Sequence, residues 1–144
     1  EGASGPLPAV VLGKDAQELR VVQAMALMQL KKPSEALAVW RRLAAFTCSH
    51  CPPFDEALPV YATQAALCAL ACGDGRAPEY ASIAVRAHRV VCGHDAFRWR
   101  FRREVEDSEA TADAKEKFWD LVERAPSGAE PSRPAFADLV AAWS

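Results

Sequence analysis

Apolar residues in this chain recur at helical spacing, and the helices they define recur in turn. Tyr61, Ala65, Cys68 and Cys72 stand at i, i+4, i+7 and i+11, which is one face of an α-helix. Leu19, Val22, Ala26 and Leu30 share a face in a similar way, while Val21, Met25 and Met28 line another. Helices of this kind start near Leu19, Tyr61, Phe97 and Phe136, at intervals of 42, 36 and 39 residues. Three second helices follow a common order: Ala36/Trp40/Leu43, Ala81/Val85/His88 and Ala114/Phe118/Leu121. A repeated helix–turn–helix leaves apolar surface that only its neighbour can bury. The expected fold is therefore all-α, an α-solenoid of about three to three-and-a-half helix–turn–helix repeats. A closed helical bundle is the alternative.

The breaks between stripes carry turn chemistry. "KKPSEA" places Pro33 in a first helical turn, "TCSHCPP" reads as a loop, and "GDG" at 73–75 stops the helix before it. Pro78 opens the next helix, "SEATAD" breaks a later one, and "PSGAEPSRP" at 126–134 precedes the last stripe. The expected organisation is a flexible N-terminal segment at 1–15 and a helical-repeat domain at 16–144. Its pairs fall at about 16–46, 57–92 and 95–125, with a half repeat at 134–144. At 144 residues, with 51% apolar and 25% charged, one domain with a real core is expected, and abundant alanine favours helix. The opening "EGASGPLPAVVLG" lacks both Met and a basic region, as a processed or truncated product would. The uncharged run 57–73 includes Pro59 and Gln64 and is short for a bilayer span, so it reads as a buried helix.

A net charge of −2 excludes a simple polycation, yet the charge is segregated. Residues 86–103 hold Arg86, Arg89, Arg98, Arg100, Arg102 and Arg103 against Asp95 alone; residues 104–123 hold eight acids against Lys115 and Lys117. Within the basic block, "DAFRWRFRRE" alternates like a strand, but helical geometry accounts for more of it. Phe97, Phe101 and Val105 form one buried stripe, Arg98 and Arg102 a second, and Trp99 with Arg103 a third. Those arginines and Trp99 are the expected contacts for a protein or RNA partner.

Cysteines offer the best case for a metal. Cys48 and Cys51 have ligand spacing in "CSHC", and Cys92 with His94 lies near one repeat length further on. In a solenoid the two loops share an edge, so these four residues allow a tetrahedral Cys₃His zinc site. A disulfide is a further reading, and reduced cysteines without metal are preferred, so no cofactor is required. Cys68 and Cys72 read as small core residues. Three histidines, no G-x-S-x-G and no glycine-rich phosphate loop leave little for catalysis. His88 falls where Leu43 and Leu121 sit in the other stripes, so packing rather than acid–base work is expected of it.

"PVYATQAALCALACGDGRAPEYASIAVRAHRV" (59–90) resembles a pentatricopeptide repeat. It has an aromatic at the third position, a small polar residue two later, a glycine-containing turn and an alanine-rich second helix. "LKKPSEALAVWRRLAAF" (30–46) resembles the second half of such a unit, and of a tetratricopeptide repeat; "RPAFADLVAAW" (133–143) resembles the start of another. The resemblance implies a mitochondrial protein that acts on RNA or sits in a ribosomal, RNA-processing or respiratory assembly. Of the positions that read bases in the family, only Thr63 falls on a suitable residue; Leu58, His94 and Arg133 do not suit the end-of-repeat role. The functional expectation is a non-catalytic interaction subunit, partnered by protein subunits of a large complex and without a membrane span. An RNA-binding protein and a peptide-binding adaptor are the alternatives.

Overall fold

A computed structural model describes residues 9–50 and 57–124, with side-chain surroundings at 17–47, 57–88 and 102–123. The described residues form five α-helices: α1 (Ala9–Gln29), α2 (Pro33–His50), α3 (Ala57–Cys72), α4 (Ala77–Glu106) and α5 (Ala112–Arg124). No strand occurs among them, so the all-α expectation holds. Helix α1 starts before the expected position 16, and α2 runs to His50, through the first residues of the expected "TCSHCPP" loop.

Helix α3 is the centre of the packing. It lies against α2, α4 and α5, while α1 packs on α2. Eleven of its sixteen residues are buried, so it is covered around its circumference as its near-continuous apolar sequence requires. Its small side chains make this possible: Ala62, Ala65, Ala66 and Ala69 are fully inaccessible and let neighbouring backbones approach. The alanine-led stripes of the second helices bury as expected, with Ala36, Trp40 and Leu43 on α2 and Ala114 and Phe118 on α5 all at or below 1% exposure. Trp40 fills the junction of three helices. Its ring centroid stands 5.9 Å from that of Tyr61 on α3, and its indole N–H donates to the Met28 sulfur on α1 at 3.4 Å.

The ends of α1 and α3 close alike. Lys32 N–H reaches the Leu27 carbonyl at 2.9 Å and Lys31 N–H the Met28 carbonyl at 3.1 Å, which is a Schellman closure. Asp74 N–H reaches the Ala69 carbonyl at 2.8 Å at the end of α3. The residue between helix and turn adopts positive φ in each, Gly73 at 76° and Lys31 at 62°. Thr111 caps α5, its hydroxyl accepting from the Ala114 N–H at 3.2 Å.

Helix α4 is thirty residues long and passes through 92–95, where the sequence predicts a boundary between pairs. Gly93 costs about 1 kcal/mol relative to alanine there, and without a proline the hydrogen-bond ladder survives that cost. His88 meets Thr63 at 3.1 Å and Glu104 meets the next residue, Gln64, at 2.7 Å. Positions 88 and 104 are about 24 Å apart along a helix, so α4 is tied to α3 on both sides of Gly93, its one glycine.

Two expectations about burial are corrected. Leu19, Val22 and Leu30, expected to face a neighbour, are 72%, 64% and 65% exposed, because α1 is covered by α2 through Ala24 and Met28 on its opposite side. Cys72, expected in the core with Cys68, is exposed, being one turn further on at the end of α3. Among the described residues no helix is long and apolar enough to cross a membrane.

Candidate functional site

The described residues form a groove beside α1. One wall is α1, through Val21, Met25 and Met28; the floor is Trp40 with Val60 and Gln64 of α3. The opposite wall is the corner where α4 gives way to α5, through Glu104, Asp107, Ser108 and Glu109. This part encloses about 230 Å³. A second hollow of about 270 Å³ adjoins it, sharing Met28 and Glu109, and is lined further by Leu67, Cys68, Ala71 and Lys31. Along α3 the floor extends from Val60 to Ala71, a rise of about 16 Å.

A polar network holds the acidic wall against the floor. Gln64, 5% exposed, donates through Nε2 to Glu104 Oε2 at 2.7 Å. Its Oε1 accepts from the Ser108 hydroxyl at 2.6 Å, and Ser108 Oγ in turn accepts from the Ala110 N–H at 3.1 Å. One amide thus satisfies both its functions and fixes the corner after α4. The sequence reading gave Gln64 no role; its signal was a lone amide inside an uncharged helical run, which demands a partner once buried.

Desolvation lifts the Glu104 carboxyl above the ordinary glutamate value; the Gln64 amide opposes this and Asp107 adds to it. The folded protein therefore holds this proton more tightly than the unfolded chain. Its contribution to stability is fullest at low pH and is lost as pH rises through the folded pKa. Glu104→Gln keeps an acceptor for Gln64 and removes the charge. It should raise the urea midpoint at about pH 7.5 and leave it little changed at about pH 3. A lower midpoint for the variant at neutral pH would contradict the burial of this carboxylate.

Thr63 sits inside the packing rather than on the surface. It is fully buried and its hydroxyl donates to the Pro59 carbonyl at 2.8 Å. The hydroxyl proton being committed, Thr63 Oγ1 accepts from His88 Nε2–H across 3.1 Å. Of the residues that carried the resemblance, the aromatic Tyr61 packs on Trp40 of α2 and the small polar Thr63 joins α3 to α4. Thr63→Val keeps the volume but strips His88 of this acceptor, an expected cost of about 1–3 kcal/mol by urea denaturation. Thr63→Ser should recover most of it. Equal behaviour of the two variants would show that the bond contributes nothing.

The arginine face is only partly within view. Arg102 and Arg103 are exposed and Arg86 half-buried, and Arg103 Nε lies 3.8 Å from Asp107 Oδ2 on the next turn. Val105, where the Phe97–Phe101 stripe ends, is fully buried. The side chains of Arg89, Phe97, Arg98, Trp99, Arg100 and Phe101 lie outside the described residues. So do those of the expected zinc ligands. Cys48 falls in the last turns of α2, Cys92 and His94 fall within α4 rather than in a loop, and Cys51 falls between α2 and α3. Among the described residues no group of three or more metal-binding side chains converges.

Cys68 lines the groove but is chemically quiet. Burial, with Cys72 adding to it, pushes its thiol up to about 12, so almost no thiolate exists at neutral pH. No family model matches the chain, and no curated protein or solved structure matches it either.

Proposed function

We propose that the protein is a non-catalytic helical-repeat interaction subunit that joins a larger assembly through the outer face of α1. The observation that carries this reading is the row Leu19, Val22 and Leu30, each more than 60% exposed on one face of an ordered helix. Burying a side chain of this kind is worth about 1.5–3 kcal/mol, so three together make a strong docking surface once a partner covers them. In this reading the helices form consecutive pairs of an α-solenoid: α1 with α2, α3 with the first half of α4, and the last turns of α4 with α5. The covered circumference of α3 and the uncovered outer side of α1 fit an inner and an outer helix of such a stack. The pentatricopeptide resemblance suggests a mitochondrial ribosomal, RNA-processing or respiratory assembly as the setting.

Affinity purification of the tagged protein from its own cells, under native conditions, tests the reading. The protein should elute in a high-mass species with protein subunits at fixed stoichiometry, and nuclease treatment should leave that species intact. A monodisperse monomer without partners would contradict it. Release by nuclease would favour an RNA-binding role carried by Arg102 and its neighbours.

A further inference from the structure

The groove lies on a different side of α1 from the exposed row, and its chemistry is different. Its floor is mostly apolar, through Trp40, Val60 and Leu67 around the Gln64 amide, and Met25 on the wall is 41% exposed. The facing wall bears Glu104, Asp107, Glu109 and Asp113; Asp107 and Asp113 also face the exposed cations Arg103 at 3.8 Å and Lys117 at 3.1 Å, and among the described lining residues Lys31 at one end is the only lysine or arginine. An apolar floor beside one acidic wall selects a ligand with an apolar face flanked by cations.

We propose that this groove docks a short basic amphipathic helix from a partner protein. The inference rests on the reading of the chain as an interaction subunit and names the chemistry of one partner. Length fits: the floor of about 16 Å takes about eleven residues of helix, three turns, with two or three apolar side chains facing down. Charge complementarity chooses among occupants. The stretches 1–8 and 125–144 of this chain hold Arg133 against Glu1, Glu130 and Asp138, so neither supplies cations. A nucleic acid is excluded by the sign of the wall. Glu104 has a specific reason to favour a cation. It is partly desolvated, and among the described residues the neutral Gln64 amide bonds it while Asp107 adds a like charge, so a lysine or arginine placed there favours its charged form.

Binding of a fluorescent synthetic leucine–lysine helix of about eleven residues, followed by polarisation at low salt with the full chain, tests the proposal. Two controls accompany it: a scramble of equal composition that destroys the apolar stripe, and a leucine–glutamate helix. The leucine–lysine helix should bind, and the double variant Glu109→Lys/Asp113→Lys should weaken it at least about tenfold, a loss of ~1.4 kcal/mol. Met25→Glu, at an exposed position, should weaken it comparably without altering the helical circular-dichroism spectrum. Asp120→Lys/Glu123→Lys, an equal charge reversal on exposed α5 positions that do not line the groove, should not. The proposal is overturned if the scramble or the acidic helix binds as well, if both charge-reversed pairs lose affinity equally, or if nothing binds. It is also overturned if sedimentation finds a self-association that Glu109→Lys/Asp113→Lys abolishes, since the occupant would then be a second copy. The outer face of α1 does not enter this measurement, so its failure leaves the docking of that face untouched.

Discussion

Trp40→Ala is expected to lower the unfolding free energy by about 3–5 kcal/mol, the usual cost of deleting a buried tryptophan. The residue is 1% exposed and touches three helices: its own α2, Tyr61 of α3 and, through its N–H, the Met28 sulfur of α1. Apolar packing rather than the hydrogen bond dominates this figure, because a sulfur acceptor is weak. Trp40→Phe separates the two terms: it keeps an aromatic ring against Tyr61 and should cost about half as much or less. Urea denaturation followed by circular dichroism reads both without relying on tryptophan emission. A loss below about 1 kcal/mol for Trp40→Ala would mean that this side chain is not where the packing places it.

Ala65→Asp is expected to abolish cooperative folding. Position 65 has no accessible surface and lies on the helix that every other packed layer but α1 contacts. An aspartate there must be buried without a cation or take up a proton. Either costs several kcal/mol, comparable with the whole stability of a domain of this size. Alanine is needed sterically as well, because larger side chains would push the flanking helices apart. Ala71→Asp supplies the contrast. It is the same change on the same helix at an exposed position, and should cost no more than about 1 kcal/mol, mostly from a negative charge near a helix C-terminus. Thermal melts of the two proteins decide the point. Comparable melts would deny α3 its central position.

Periodicity made the helices readable because burial and spacing are the same fact for a helix covered on one side. The stripe Ala36/Trp40/Leu43 is buried as read, as are Ala114 and Phe118 of the third stripe, while its last member, Leu121, is half-buried. Residues that recur on two faces were less informative. Leu19 and Val22 share a chemistry with Met28, and nothing local says which face α2 will cover. Turn chemistry was legible at Gly73, where positive φ suits glycine, but not at Lys31, which adopts the same left-handed region against its preference. The boundary expected at 92–95 lies inside the continuous helix α4, because a lone glycine weakens a helix without removing a donor. The resemblance made Thr63 a reading position, yet a small polar residue on α3 serves equally to bond His88 inside the stack. The groove was beyond the sequence altogether. It joins Met25, Gln64 and Glu109, which are far apart in the chain and come together only when α1, α3 and the corner after α4 are in place.

The most direct test of the central claim, that the outer face of α1 carries the protein into an assembly, is the native purification repeated with Val22→Glu/Leu30→Glu. Both positions are more than 60% exposed, so the isolated variant should keep its unfolding free energy, read by urea denaturation, to within about 0.5 kcal/mol. Its share of the high-mass species should nevertheless fall at least about tenfold, since two carboxylates would replace two apolar anchors in the contact. A variant that folds normally and enters the assembly as fully as the wild type would contradict the account.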